Sequence, residues 1–377
     1  MNRDNLNAIF KAYIENFEFI NSEHDENYKW EIASQFQDFD LDAEDFHDML
    51  TKMWKASENL IDNAKQLPFY ALLTYSKQEP ETVRQMFKDL FIDDTADLAT
   101  KQKRILSFID SSEQLREKYL PYSHLYINNQ RSVMQYLFLR YPESNYGYKA
   151  SQAKRFADCI GFYEDWGPMS DFKLDVYYKM CNQLVEEIKK NDALMKTHMS
   201  RYQHTNRRMH SDINLHILAF DIIYSSQTYD FYVNTTFKPI NAQAKKLHLE
   251  QVAKAKELAQ AEKMAEKENQ MLIDAKKVFS ELLKSGTVVK HRTYGKGIVE
   301  TCDGTQISIF FSEKNKTVKL GLALSIGNNF LSCDEPEFAD KLKLYQHILQ
   351  REDSIKDIFK IATNNLRPYL EYLEEDI

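Results

Sequence analysis

Three groups of side chains in this sequence have the types and spacing to do chemistry. Asp175 with Glu187-Ile188-Lys189 carries the letters of an Asp…Glu-x-Lys metal site, in which two carboxylates hold Mg²⁺ and the lysine assists an attacking water. Such a site normally puts Glu-x-Lys on a strand. Here LDVYYKMCNQLVEEIKK sets Val176, Met180, Leu184 and Ile188 on one helical face, so a metal-dependent nuclease ranks third among the functional readings. His198, His204, His210 and His216 recur at a spacing of six, which gathers no ligand pair on one face of a helix or strand. The stretch around them, KTHMSRYQHTNRRMH (196–210), holds Lys196, Arg201, Arg207 and Arg208 and no acid. Its arginines could grip phosphates while Tyr202 stacks on a base; an exposed loop between two helices is the plainer reading.

The third group lies far downstream. Residues 286–333 carry six Lys or Arg against three acids, and Lys290, His291, Arg292 and Lys296 crowd one turn beside Tyr294. A small β-module with a basic turn and an aromatic ring suits a nucleic-acid backbone or a peptide. The residues expected to contact nucleic acid are therefore Arg201, Tyr202, Arg207, Arg208, Lys290, Arg292, Tyr294 and Lys296. No GxxxxGK[ST], HExxH, GxSxG or zinc-finger spacing occurs, so no catalytic residue, metal or cofactor is assigned.

The elements that must position these groups follow from glycine placement and periodicity. None of the nine glycines precedes Gly147, and six fall between Gly286 and Gly327. A helical body followed by a turn-rich β-module results. Spacings of three and four mark helices over 45–64, 79–92, 96–119, 132–142, 149–160, 171–190 and 212–225, within an all-α domain of residues 1–240. Its first fifty residues hold 13 acids against Arg3, Lys11 and Lys29, either as solvated faces around inward aromatics or as a dock for a basic partner. YLFLRYPESNYGYK (136–149) reads as a core helix ending in a turn, with Arg140, Tyr146 and Lys149 as a second reading for base or phosphate contact.

From 241 to 285 a long helix shows a heptad-like seam through Leu258, Ala261, Ala265, Glu268, Leu272, Ala275, Phe279 and Leu282. It serves equally as a spacer between domains or as the coiled coil of a homodimer. Residues 286–333 alternate in QISIFF and TVKLGL around a CDGT hairpin, as in a small SH3-like barrel. Residues 334–377 return to acidic helix. The fold class expected is mainly α.

The net charge of −8 gives no blanket attraction to nucleic acid or membrane, so binding has to come from a local patch. Four scattered cysteines and no apolar run of membrane-spanning length suggest a cytoplasmic protein.

Two resemblances add context. LTKMWKASENLIDN, PETVRQMFKDLF, YLFLRYPESNYGYK, SQAKRFADCIGF and SDINLHILAFDIIY resemble the N-terminal helical region of McrB-type restriction proteins, across roughly 45–225. Those are AAA+ defence proteins with a recognition domain ahead of a motor. Here no motor follows, so nucleotide-driven activity would have to come from a partner chain. Val288-x-x-His291-x-x-Tyr294-Gly295-x-Gly297-x-Val299, with Phe310 and Phe330-Leu331, is similar to SH3-like barrels of UvrD-type helicases and CarD-like factors. That resemblance implies contacts with RNA polymerase, other proteins or nucleic acid. The expected function is a non-enzymatic recognition or adaptor protein of a bacterial anti-phage system, binding nucleic acid or a phage component and recruiting a motor or effector chain. The alternative is a transcription- or repair-associated factor that docks on polymerase.

Overall fold

The computed structural model describes residues 1–62, 66–168, 171–203, 206–237 and 241–374. The chain is mainly helical, with one five-stranded antiparallel sheet, and divides into two units, Met1–Lys246 and Leu247–Ile377.

The first unit contains α1 (Arg3–Glu15), α2 (Tyr28–Gln35), α3 (Phe46–Ile61), α4 (Pro68–Ser76), α5 (Pro80–Leu90) and α6 (Leu98–Tyr119). It continues with α7 (Gln130–Arg140), α8 (Ala150–Cys159), α9 (Leu174–Lys189), α10 (Asp192–Ser200) and α11 (His216–Thr228). Local chemistry fixes many of the starts. Asn2, Asp45, Asp97 and Asn191 each accept a backbone N–H in the first turn of the helix they precede. Asn129 and Ser132 form a reciprocal capping box on α7, and Pro68 and Pro80 begin α4 and α5, where a missing N–H costs nothing.

The aromatics fill one continuous core. Phe36, Phe39 and Phe46 of the acidic segment point inward, as do Tyr136, Phe138, Tyr146 and Tyr148 of the aromatic stretch. The residues of the second reading of 136–149 each have a partner inside the unit. Tyr146 donates its hydroxyl hydrogen to Asn182 at 2.7 Å, Lys149 donates to the Leu60 carbonyl at 2.8 Å, and Arg140 donates to the Gln37 carbonyl at 3.1 Å. One expected helix starts late. Residues 212–215 form a loop with Asp212 and Leu215 at positive φ, because the buried Asp212 carboxylate accepts the N–H groups of Ile217 and Leu218 at 2.9 Å each and so starts α11 from outside it.

The second unit is built on α12 (Ala242–Leu282), whose first turn crosses the division between units. It continues through β1 (Val288–His291), β2 (Gly295–Cys302), β3 (Gln306–Phe311), β4 (Lys316–Gly321), α13 (Leu322–Gly327), β5 (Leu331–Cys333), α14 (Pro336–Gln350), α15 (Glu352–Leu366) and α16 (Glu371–Glu374). The strands form a meander in the order β4-β3-β2-β1-β5, with α13 carrying the chain round so that β5 pairs with β1.

Leu272, Ala275, Phe279 and Leu283 share one core with Val289, Val299, Ile307, Ile309, Phe311, Phe338, Ile348 and Ile355. Helix, sheet and tail are thus one packed body. The C-terminal part of the heptad-like seam finds partners within this chain, while Leu258 is only partly buried and Ala261 is exposed. Lys276–Glu352 at 2.7 Å, Arg351–Glu268 at 3.2 Å and the His248–Tyr372 ring contact show the C-terminal helices returning along α12. Ala265, Leu272, Ala275 and Phe279 of the expected seam are buried without a second copy, so no homodimer is needed to cover them.

Candidate nucleic-acid interface

The sheet sorts its residues by the two-residue period of a strand. Val289, His291, Gly297, Val299, Ile307, Ile309 and Phe311 point into the core. Gly297 is required there, because a Cβ would lie 2.6 Å from Ile309 and 2.7 Å from Phe311. The alternate residues make an open face in three rows, fixed by the strand register. Lys296 stands directly opposite Lys290, which in turn faces Ser332. The next row runs Val288, Ile298, Phe310 and Thr317 across four strands. The third runs Thr301, Ser308 and Lys319. Val288 and Ile298 are 45% and 49% exposed, so Val288, Ile298 and Phe310 form an apolar strip with the Lys290–Lys296 pair on one side and, on the other, a mixed row that carries Lys319 and has the exposed Glu300 beside Thr301.

The turn between β1 and β2 is held by His291, whose Nδ1 accepts the N–H groups of Thr293 at 3.0 Å and Tyr294 at 3.3 Å. Burial lowers the His291 pKa, which keeps that nitrogen free to accept. Gly295 closes the turn at φ +78°, leaving Arg292 exposed at its tip. Tyr294 is turned away from the open face. Its ring packs on Phe311 and His291, with the Lys316 ammonium 5.1 Å from its centroid. The expected stacking ring is therefore occupied internally, and the outward aromatic is Phe310. Among the described residues, no ion pair engages Lys290, Arg292, Lys296 or Lys319.

The basic stretch of the helical unit is arranged differently. Arg201 is 4% exposed and belongs to the core. Its guanidinium lies 3.6 Å from the Trp30 ring centroid, donates to Asn21 at 2.5 Å, to Asn27 and to Tyr13 at 2.8 Å, and stands 4.0 Å from Asp221. Asp221 is the hub, because it also binds the fully buried Lys29 and accepts the Tyr13 hydroxyl at 2.5 Å. Burial alone would lower the Lys29 pKa, but Asp221, Tyr28 and Glu26 outweigh it and raise it. As placed, Arg201 has no surface to offer a phosphate, which corrects its expected role.

Tyr202 is half-buried, its hydroxyl donating to the carbonyls of His210 and Ser211. Arg207 pairs with Asp25 and Glu31, and Arg208 forks onto Asp38 at 2.6 and 2.9 Å. The Asp38 carboxyl is held below its ordinary pKa by that fork. Some acids of the N-terminal segment thus meet their basic partner inside the same unit.

The other candidate groups are not assembled. Asp175 and Glu187 sit in the first and last turns of α9, about 18 Å apart along the axis at the rise of an α-helix. Lys189 and Glu187 are engaged by Glu186 and Lys190. His198 is buried between Trp30 and Tyr202, His216 stacks on Tyr146, and His204 lies outside the described residues. Among the described residues no group of three His, Cys, Asp or Glu side chains could hold a metal. No helix is long and apolar enough to cross a membrane among the described residues. Comparison with protein-family models, with curated proteins and with solved structures finds no match.

Proposed function

We propose that this chain is a recognition or adaptor protein that binds nucleic acid through the basic face of its second unit. The observation that carries the reading is the cross-strand pair Lys290–Lys296. Like charges placed opposite each other destabilise a sheet, and among the described residues no ion pair engages either lysine. A polyanion relieves that repulsion and releases its own counterions on binding. The strand order, a four-strand meander extended by β5 on β1 after a short helix, supports regarding this sheet as an SH3-like barrel. The helical unit, by its resemblance to McrB-type N-terminal regions, would place the adaptor in bacterial anti-phage defence, with any motor or effector on a partner chain.

Fluorescence anisotropy of the full chain with labelled duplex DNA, single-stranded DNA and RNA over a salt series tests the reading. Salt-sensitive binding to at least one of them is expected. No binding to any of them at low salt removes it. The exposed Val288–Ile298 strip favours one second reading, a factor docking on polymerase, because protein interfaces are apolar at their centre. Co-purification of RNA polymerase subunits that is lost on Ile298→Glu would distinguish it.

A further inference from the structure

Resting on the nucleic-acid reading above, we infer that the strand recognised is unpaired, with its bases on the Val288–Ile298–Phe310 row and its phosphates on the flanking lysines. The row consists of direct cross-strand neighbours on β1, β2 and β3. Lys290 and Lys296 border it on one side, and Lys319 with Ser308 and Thr301 on the other, where the exposed Glu300 at the β2 bulge makes that side the weaker for phosphate. Rows two residues apart along a strand are separated by about 6.6 Å, and neighbouring strands by about 4.8 Å. The three-residue strip therefore spans roughly two or three bases, as on other sheets that stack nucleotides.

Chemistry separates the possible anions. A duplex buries its base faces and presents sugar-phosphate ridges. Docked here, it would satisfy the lysines but press the apolar strip against phosphate. An unpaired strand offers both parts, anionic links for the lysines and flat π-faces for Phe310 and the aliphatic side chains beside it. An acidic peptide matches the charge, but peptide recognition uses a free sheet edge or a groove with side-chain pockets. The strip lies on β1, β2 and β3, the three inner strands in the order β4-β3-β2-β1-β5, and its members Val288 and Ile298 are nearly half exposed. Phe310 faces outward while its neighbour Phe311 is wholly buried, so the aromatic can be altered without opening the core.

The test uses the full chain with labelled oligo-dT, oligo-rU, a duplex of equal length, and poly-glutamate as an anion without bases. At least one homopolymer should bind about tenfold or more tightly than the duplex and poly-glutamate. Preference for ribose or deoxyribose names the source and supports the inference either way. Phe310→Ala should lower homopolymer affinity by about fivefold or more and leave weak duplex binding unchanged. Phe310→Leu, which keeps apolar bulk without the ring, should fall between; it carries the test if Phe310→Ala does not fold. Duplex binding as tight as the homopolymers, or both Phe310 variants binding like the native chain, overturns the unpaired-strand inference while leaving nucleic-acid binding in place. Equal affinity for poly-glutamate overturns it as charge alone. No binding to any nucleic acid removes the underlying reading as well.

Discussion

The two basic clusters look alike as text and differ in what their charges are doing. In 196–210, Arg201, Arg207 and Arg208 each meet a carboxylate of the same unit. In the sheet, Lys290, Lys296 and Arg292 are exposed, with no ion pair among the described residues. A positive side chain that has already found its anion inside the fold contributes to stability or register. One left without an anion by a fold that holds it beside another cation is available to a partner. The local ratio of basic to acidic residues does not distinguish these cases, because the neutralising acids lie far away in sequence.

The sharpest test of that difference is Arg201→Ala. It strips Asn21, Asn27 and Tyr13 of their donor and leaves Asp221 with one cation fewer in a fully buried site. The expected cost to the helical unit is about 3–5 kcal/mol, measured by chemical denaturation. Arg201→Lys should recover little, since an ammonium cannot stack on Trp30 and fork to two sides at once. All three tryptophans, Trp30, Trp54 and Trp166, lie in this unit, so their fluorescence reports its unfolding alone. A stably folded Arg201→Ala protein that had lost only nucleic-acid binding would break the comparison.

Beside Arg201, His198 gives the next largest effect, through pH. Burial, with the Arg201 charge adding, pushes its pKa down from 6.5 to about 3. The folded state therefore binds fewer protons than the unfolded state between those values. Stability from this group is lost as pH falls below about 6.5, at up to about 1.4 kcal/mol per pH unit. Asp212 opposes it. Burial pushes its carboxyl up from 3.8 to about 7, so the folded state holds the extra proton and acidification through that window stabilises. The native slopes offset between about 3.8 and 6.5. His198→Phe should leave the Asp212 slope exposed, making the variant gain stability relative to the native chain as pH is lowered. Parallel pH profiles for the two proteins would show that His198 does not enter the core neutral.

In the sheet, the double change Lys290→Glu with Lys296→Glu should act on binding and not on folding. Affinity should drop about tenfold or more, and the slope of log K against log salt should become shallower by about two contacts. The stability of the second unit, followed by amide hydrogen exchange of its strands because the tryptophans report only the helical unit, should not change. A lowered affinity with an unchanged salt slope would mean that these lysines do not meet phosphate.

Much of the fold was legible because it rests on local rules. Helix starts carry their caps in the sequence at Asp45, Asp97 and Asn129, and the β-module announces itself through Gly295, Gly297 and the alternation in QISIFF. The same alternation contained the outward Phe310, a signal that a search for aromatics near basic turns passes over in favour of Tyr294. Arg201 was legible too, on a different rule. Leu194, His198 and Arg201 step by four and three along α10 and its cap, and all three are buried. What no local rule supplies is the pairing of Lys29 with Asp221, 192 residues away, or of Arg208 with Asp38, 170 away. Those contacts depend on tertiary packing, and a single sequence carries no trace of which acid each cation meets.

Arg208→Ala is the smallest of the expected effects and the one that most sharply divides the clusters. Arg208 and Asp38 are both mostly exposed, and an exposed pair gains little once solvent screening and side-chain ordering are counted. The denaturation midpoint should move far less than in Arg201→Ala, and nucleic-acid affinity should not fall. Freeing the Asp38 carboxylate lets its pKa return upward, so whatever stability the pair lends is present at neutral pH and lost as pH drops through the lowered value. If Arg208→Ala instead weakens nucleic-acid binding as much as the double change in the sheet, a paired arginine is exchanging Asp38 for phosphate. The rule drawn from the comparison, that an internally neutralised cation is not a ligand contact, then fails at this position.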